Sequence, residues 1–183
     1  KDECEKEIIH HEIVTNGYLI NDETIQFFKD SHLTSIQISL DGTQKNHDKT
    51  RCLKANKEGT FKKLQENIEL LSKAIPDLSI MLRVNVNKSN YQDCIDIYEY
   101  YSSQDWQKNI FVYPGILHVD AKDNARYCQS CFDNNELHEL YTLLHAGGVN
   151  VRFFPPMAGK GCMIQRAHSY IIGPEGEMYK CWD

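Results

Sequence analysis

Short extended runs alternate with amphipathic helical ones along nearly the whole chain, and this alternation restricts the fold more than any other feature. Residues 11–16, 34–40, 78–87 and 109–113 read as strands, 22–31, 60–75, 91–102 and 136–146 as helices, and 150–154 as a further short strand. The run 60–75 shows the helical period most clearly. Phe61, Leu64, Ile68, Leu71 and Ile75 fall at three- and four-residue spacings and form one apolar stripe, with Gly59 and Thr60 ahead of it and Pro76 behind. Strands separated by helices imply parallel pairing, because a parallel connection needs a crossover of about a dozen residues or more. The predicted class is α/β.

Two of the strands alternate in a way that parallel strands usually do not. In Ile36-Gln37-Ile38-Ser39-Leu40-Asp41 the apolar residues share one face while Gln37, Ser39 and Asp41 share the other, and Leu82-Arg83-Val84-Asn85-Val86-Asn87 repeats the pattern. Strands of parallel sheets are commonly apolar on both faces. A polar face must be satisfied by solvent or by a bound group, so two readings stand side by side: a solvent-facing antiparallel sheet, or a partial barrel whose lumen takes a ligand.

With 183 residues, 41% of them apolar, the chain is long enough for one main domain and a small appended module, whose boundary is expected near Pro155-Pro156. The formal charge of -6 offers no general attraction to phosphate backbones, and no apolar run is long enough to cross a bilayer; neither nucleic acid nor membrane is an expected partner. Residues 1–7 contain no initiating Met and no secretory apolar stretch, which reads as an internal piece of something longer. Seven cysteines in a chain of this size favour free or metal-bound thiols in a reducing cytosol over a disulfide framework. A cytoplasmic location follows as the expectation.

The chemistry-bearing residues gather at strand ends, where barrel-like α/β folds place their sites. They are Thr15-Asn16-Gly17, Ser39-Leu40-Asp41-Gly42, His47-Asp48-Lys49-Thr50-Arg51 and Arg83-Val84-Asn85-Val86-Asn87. Taken singly, each has a plain structural reading: Asn-Gly as a hairpin turn, Asp41-Gly42 as a strand-ending turn, His47 and Asp48 as a solvated loop, Arg83, Asn85 and Asn87 as internal hydrogen-bonding groups.

Together, in this order and at these separations, they resemble the middle of a radical S-adenosylmethionine (SAM) domain, whose strands finish in Thr-Asn-Gly and Ser-Leu-Asp-Gly before a His-Asp-x-x-Arg loop. The resemblance implies a partial (β/α) barrel of parallel strands over residues 1–156, binding SAM across the strand ends. It places Ser39 near the ribose and Arg51 at the methionine carboxylate, with Asn16, Arg83 and Asn85 as further cofactor-side residues. An Arg fork suits a carboxylate and a Ser hydroxyl suits a ribose.

Cys162, thirteen residues, Gly176, four residues and Cys181 reproduce the opening spacing of the SPASM motif, an auxiliary cluster-binding module that would start within 157–183 as a β-hairpin at 168–172 and 177–182. Cys162 and Cys181 are thus candidate ligands of a 4Fe-4S cluster whose remaining cysteines are expected beyond Asp183. Cys128-Gln129-Ser130-Cys131 is equally compatible with a zinc ligand pair, a substrate-proximal thiol pair and a plain loop. Gly159-Lys160-Gly161 lacks the rest of a phosphate loop, and His138 and His145 lack a third ligand.

Radical SAM enzymes hold their reducing 4Fe-4S cluster with Cys-x3-Cys-x2-Cys, and the 183 residues contain no such triplet. Truncation at both ends is the expectation, with the piece itself inert. For the full-length protein the resemblance implies an enzyme that cleaves SAM reductively and uses the 5'-deoxyadenosyl radical on a peptide or protein substrate. The alternatives are an anaerobic sulfatase-maturing enzyme forming formylglycine, and a noncatalytic α/β or zinc-binding protein. Many sulfatase maturases carry, directly after the cysteine that here is Cys181, an Asp that serves as a base; this chain has Trp182 there and Asp183 one place later.

Overall fold

The computed structural model describes residues 10–106, 108–117, 130–151 and 169–181. The first unit, ending at Val151, contains β1 (Glu12–Thr15), α1 (Asp22–Asp30), β2 (Ser35–Leu40), α2 (Gln44–Thr50), α3 (Phe61–Ala74), β3 (Ser79–Val86), α4 (Gln92–Ser102), β4 (Ile110–Ile116) and α5 (Asn134–Ala146). The four strands form one sheet in the order β1-β2-β3-β4, and every neighbouring pair is parallel. The solvent-facing antiparallel alternative is thereby set aside, and the chain folds as a partial (β/α) barrel.

One face of the sheet carries Ile36, Ile38, Leu40, Ile80, Leu82, Val84, Val86, Ile110 and Val112, all buried. The helices complete this core: Phe28 from α1, Leu64, Ile68 and Leu71 from α3, Cys94 and Ile97 from α4, Leu140 and Leu144 from α5. Because successive side chains of a strand point to opposite faces, burying this set turns Gln37, Ser39, Arg83, Asn85 and Tyr113 to the other face.

Local signals account for most boundaries. Asn21 caps α1, its Oδ1 accepting the Thr24 N–H at 2.9 Å. Thr60 precedes α3 but does not cap it, because its hydroxyl is engaged with Arg51 and His47; Asp48 Oδ1 instead accepts the Phe61 N–H at 2.9 Å. Two expectations change. His47 and Asp48, read as a solvated loop, lie on the helix α2, and His47 is fully buried. The strand expected to stop at Tyr113 continues through Pro114 and Gly115 to Ile116, since β4 is an edge strand of the described sheet and tolerates a residue without an N–H.

The second unit is described over 169–181. There β5 (Ile171–Ile172) and β6 (Met178–Tyr179) pair antiparallel around a turn in which Gly176 has a φ of 85°, and Gly173 N–H donates to Glu177 O at 2.8 Å. Lys180 Nζ donates to Ser169 O at 2.9 Å and lies 4.0 Å from the centroid of the Tyr170 ring. The expected hairpin is present. Asn150 and Val151 belong to no strand; the rest of the run 150–154, the boundary near Pro155-Pro156, and Gly159-Lys160-Gly161 lie outside the described residues.

Asn67 of α3 joins the helical layer to the turn after β1. Its Nδ2 donates to both Gly17 O and Tyr18 O at 2.9 Å from a buried position. Replacing it with Leu leaves those carbonyls without their donor, so Asn67→Leu is expected to cost about 1–3 kcal/mol in urea unfolding, with the largest amide shifts at residues 16–18.

Candidate functional site at the strand ends

The parallel register sets the site. Ser39 on β2 lies opposite Arg83 on β3, which lies opposite Tyr113 on β4; one step further along, Asn85 lies opposite Gly115. All four polar residues are half-buried. Among the described residues the Ser39 hydroxyl has no hydrogen-bond partner and Arg83 forms no ion pair. Gly115 is needed for this arrangement, because a Cβ there would collide with Arg83 Nε and lie 2.8 Å from Asn85 Oδ1. Tyr113 Oη donates to Gln37 Oε1 at 2.6 Å. Burial pushes the Tyr113 phenol up; the neighbouring Arg83 charge works against that shift and Glu12 adds to it.

Asp41, immediately after β2, is the hub. Its Oδ2 accepts from Arg51 Nε and from Thr50 Oγ1, each at 2.8 Å, and its Oδ1 accepts from Asn85 Nδ2 at 2.8 Å. Burial by itself would raise this carboxyl, but the hydrogen bonds from Arg51, Asn85 and Thr50 and the Arg51 charge outweigh it and hold Asp41 below the usual carboxylate value. The Asp41 carbonyl accepts from Asn90 Nδ2 at 3.3 Å, and the same amide reaches Asn85 O at 3.0 Å.

His47 supports the hub from α2. Its Nδ1 accepts the Asp41 N–H at 3.2 Å, which assigns the ring proton to Nε2; Nε2 then faces Thr60 Oγ1 at 3.2 Å, and that hydroxyl donates to Arg51 O at 2.6 Å. Burial lowers the His47 pKa, and Arg51 adds to that shift against Asp41 and Asp48. The imidazole is therefore a neutral connector. Asp93 of α4 secures the same loop, its Oδ2 accepting from Thr43 N–H at 2.8 Å and Asn46 Nδ2 at 2.7 Å, beside Gly42 with a φ of 110°.

Ser39, Arg83 and Asn85 thus share one face, and Arg51 is tied to Asn85 through Asp41. Asn16 sits apart from this network, at the exposed end of β1, where its Oδ1 accepts the Tyr18 N–H at 3.1 Å in a strand-to-helix turn instead of a hairpin. Gly17 there has a φ of 72° and packs against Leu64 and Ile38. Cys131 and Cys181 are partly exposed, while Cys128, Cys162, Trp182 and Asp183 lie outside the described residues. No group of three His, Cys, Asp or Glu side chains assembles a metal site among the described residues.

The pattern of the Radical SAM superfamily matches residues 1–101, more than half of the chain. The chain belongs to the radical SAM superfamily. It is 31% identical to a cysteine-type anaerobic sulfatase-maturating enzyme of Clostridium novyi (strain NT), over 94% of this chain and 49% of that relative. It is 29% identical to a serine-type anaerobic sulfatase-maturating enzyme of Bacteroides thetaiotaomicron, over 68% of this chain and 29% of the relative. A shorter match, 29% identical over 48% of this chain and 20% of the relative, is to the sporulation killing factor maturation protein SkfB of Bacillus subtilis (strain 168). The chain spans about half the length of the first of these relatives and less of the others. Its fold is similar to the solved structure described as native anSMEcpe with bound AdoMet and Cp18Cys peptide, with a TM-score of 0.57 at 19% identity, over 94% of this chain and 51% of that one. This radical SAM chain is anaerobic sulfatase-maturase-like. The polar faces that carry Ser39 and Arg83 were legible in the strand pattern; the role of Asp41 as a hub and the burial of His47 were not.

A neutral buried histidine contributes a defined pH response. The folded state holds His47 below its ordinary 6.5, so the unfolded chain binds the extra proton; its contribution is complete above pH 6.5 and is lost as pH falls through the lowered folded value. Urea unfolding between pH 7 and 5.5 is expected to show a decline of at most about 1.4 kcal/mol per pH unit from this group, and His47→Gln is expected to remove that component.

Proposed function

We propose that these residues form part of the SAM site of an enzyme that modifies a peptide or protein by radical chemistry. The observation that carries this reading is the Ser39–Arg83 pair beside Gly115 on the polar face of the sheet: a hydroxyl without a hydrogen-bond partner and a guanidinium without an ion pair among the described residues, the guanidinium seated over the glycine backbone. A sulfonium nucleoside bearing an amino acid fits that donor set. Ser39 would bond the ribose, Arg51 would take the methionine carboxylate, and Arg83 and Asn85 would line the pocket, with Asn16 at its rim.

When bound and reduced by a 4Fe-4S cluster, SAM supplies a 5'-deoxyadenosyl radical. The chain's own contribution is to orient the nucleoside, satisfy its polar groups and keep the strand ends rigid through Asp41 and His47. We assign Cys162 and Cys181 to an auxiliary 4Fe-4S module beginning within 157–183, and the chain by itself, with no Cys-x3-Cys-x2-Cys among its residues, to a piece that does not reduce SAM. Cys128 and Cys131 remain a candidate pair for zinc or substrate. Support for a peptide substrate comes from the resemblance to SkfB, named a maturation protein, and to the peptide-bound neighbour.

Formylglycine formation on a sulfatase is the second reading, favoured by the 31% identity to the Clostridium novyi maturase and opposed by Trp182 directly after Cys181. The test is to express the reading frame as far as it runs in both directions beside these 183 residues, reconstitute both anaerobically with iron and sulfide, and measure 5'-deoxyadenosine formed from SAM under reduction. Product from the extended protein only is the expected outcome. An extended protein that binds a cluster and SAM but forms none would remove the catalytic reading, and turnover of a sulfatase-derived peptide would select the second reading.

A further inference from the structure

We infer that Asp41 is a positioning residue that acts through Arg51, locking the guanidinium of that residue in the orientation in which it receives a ligand carboxylate. The inference rests on the reading that Arg51 belongs to the SAM site. Donors from two separate segments converge on one half-buried carboxylate: Thr50 and Arg51 at the end of α2, and Asn85 near the end of β3. The backbone of Asp41 is held as well, its N–H by His47 Nδ1 and its carbonyl by Asn90 Nδ2, so the carboxylate has little freedom to swing away.

The manner of the Arg51 contact matters. Only Nε is engaged, at 2.8 Å from Asp41 Oδ2, which leaves both terminal nitrogens of the planar group for a second carboxylate. Fixing Nε fixes the plane of the guanidinium, so the long side chain surrenders its rotamer freedom before a ligand arrives. The ion pair also offsets the charge of Arg51. A ligand carboxylate therefore meets a shaped hydrogen-bonding edge at Arg51, while Arg83 on the same sheet face forms no ion pair among the described residues.

A role as mere structural support predicts a loss of fold without regard to Arg51; a positioning role predicts that the effect of Asp41 vanishes once Arg51 is gone. The experiment uses the extended reading frame, reconstituted, and its Asp41→Asn, Arg51→Ala and doubly substituted forms. Two readouts are taken: SAM affinity by equilibrium dialysis, and the 15N-resolved Arg51 Nε–H resonance. Asp41→Asn is expected to weaken SAM binding about tenfold or more and to shift the Nε–H signal and speed its exchange with water. The double form is expected to bind no worse than Arg51→Ala alone. Equal losses from Asp41→Asn with and without Arg51, or an Nε–H signal that does not move, would overturn the positioning role. If Arg51→Ala leaves SAM affinity unchanged, the placement of Arg51 at the SAM site fails and this inference with it. Should Asp41→Asn unfold the protein, Asp41→Glu, which keeps the charge and displaces the carboxylate, is read instead: it must alter the Nε–H signal and weaken SAM binding only when Arg51 is present.

Discussion

The parallel pairing of β2 with β3 governs the rest of the structure, because a one-residue slip of either strand would turn its own polar residues, Ser39 on β2 or Arg83 and Asn85 on β3, into the core and expose its apolar ones. The register is enforced by burial: the apolar side chains of both strands are almost wholly removed from water beneath α3 and α4. That burial is also what makes the opposite face polar. The polar residues of the candidate site and the apolar residues of the core therefore alternate along the same strands, and neither set can be shifted without the other.

Polar order at the strand ends depends on a short chain of contacts, His47 to Asp41 to Arg51 and Asn85. Each contact joins the turn after β2 to α2, to the residue that follows it, or to β3. His47 must be buried and neutral to present Nδ1 as an acceptor, and Asp41 must be charged to gather three donors; their environments hold both groups in those states near neutral pH. Gly42 and Gly115 serve this arrangement by leaving room, the first for Asp93 and the second for Arg83 and Asn85.

Much of this was legible in the chain. The alternation of strands and helices gave the α/β class, and the two-faced strands gave the polar face of the sheet, because apolar periodicity is a direct consequence of burial. His47 and Asp48 on α2 were read as loop, since Gln-Lys-Asn-His-Asp-Lys-Thr has no aliphatic stripe and its buried anchor is a histidine. The Asp41–Asn85 bond spans 44 positions, a long-range polar contact that leaves no local signal. Arg51 was expected at the methionine carboxylate and Asp41-Gly42 as a turn ending a strand; the turn is there, but the ion pair between Asp41 and Arg51 had no signal in the sequence.

The central claim is that the polar face at the strand ends receives SAM. Backbone amide shifts of the 15N-labelled chain, followed through a SAM titration, test it most directly. The account expects saturable shifts concentrated at Ser39, Asp41, Arg51, Arg83, Asn85 and Gly115, with the helices of the buried face undisturbed. Shifts confined to α1, α3 or α4, or none at millimolar SAM with the fold intact, would contradict it.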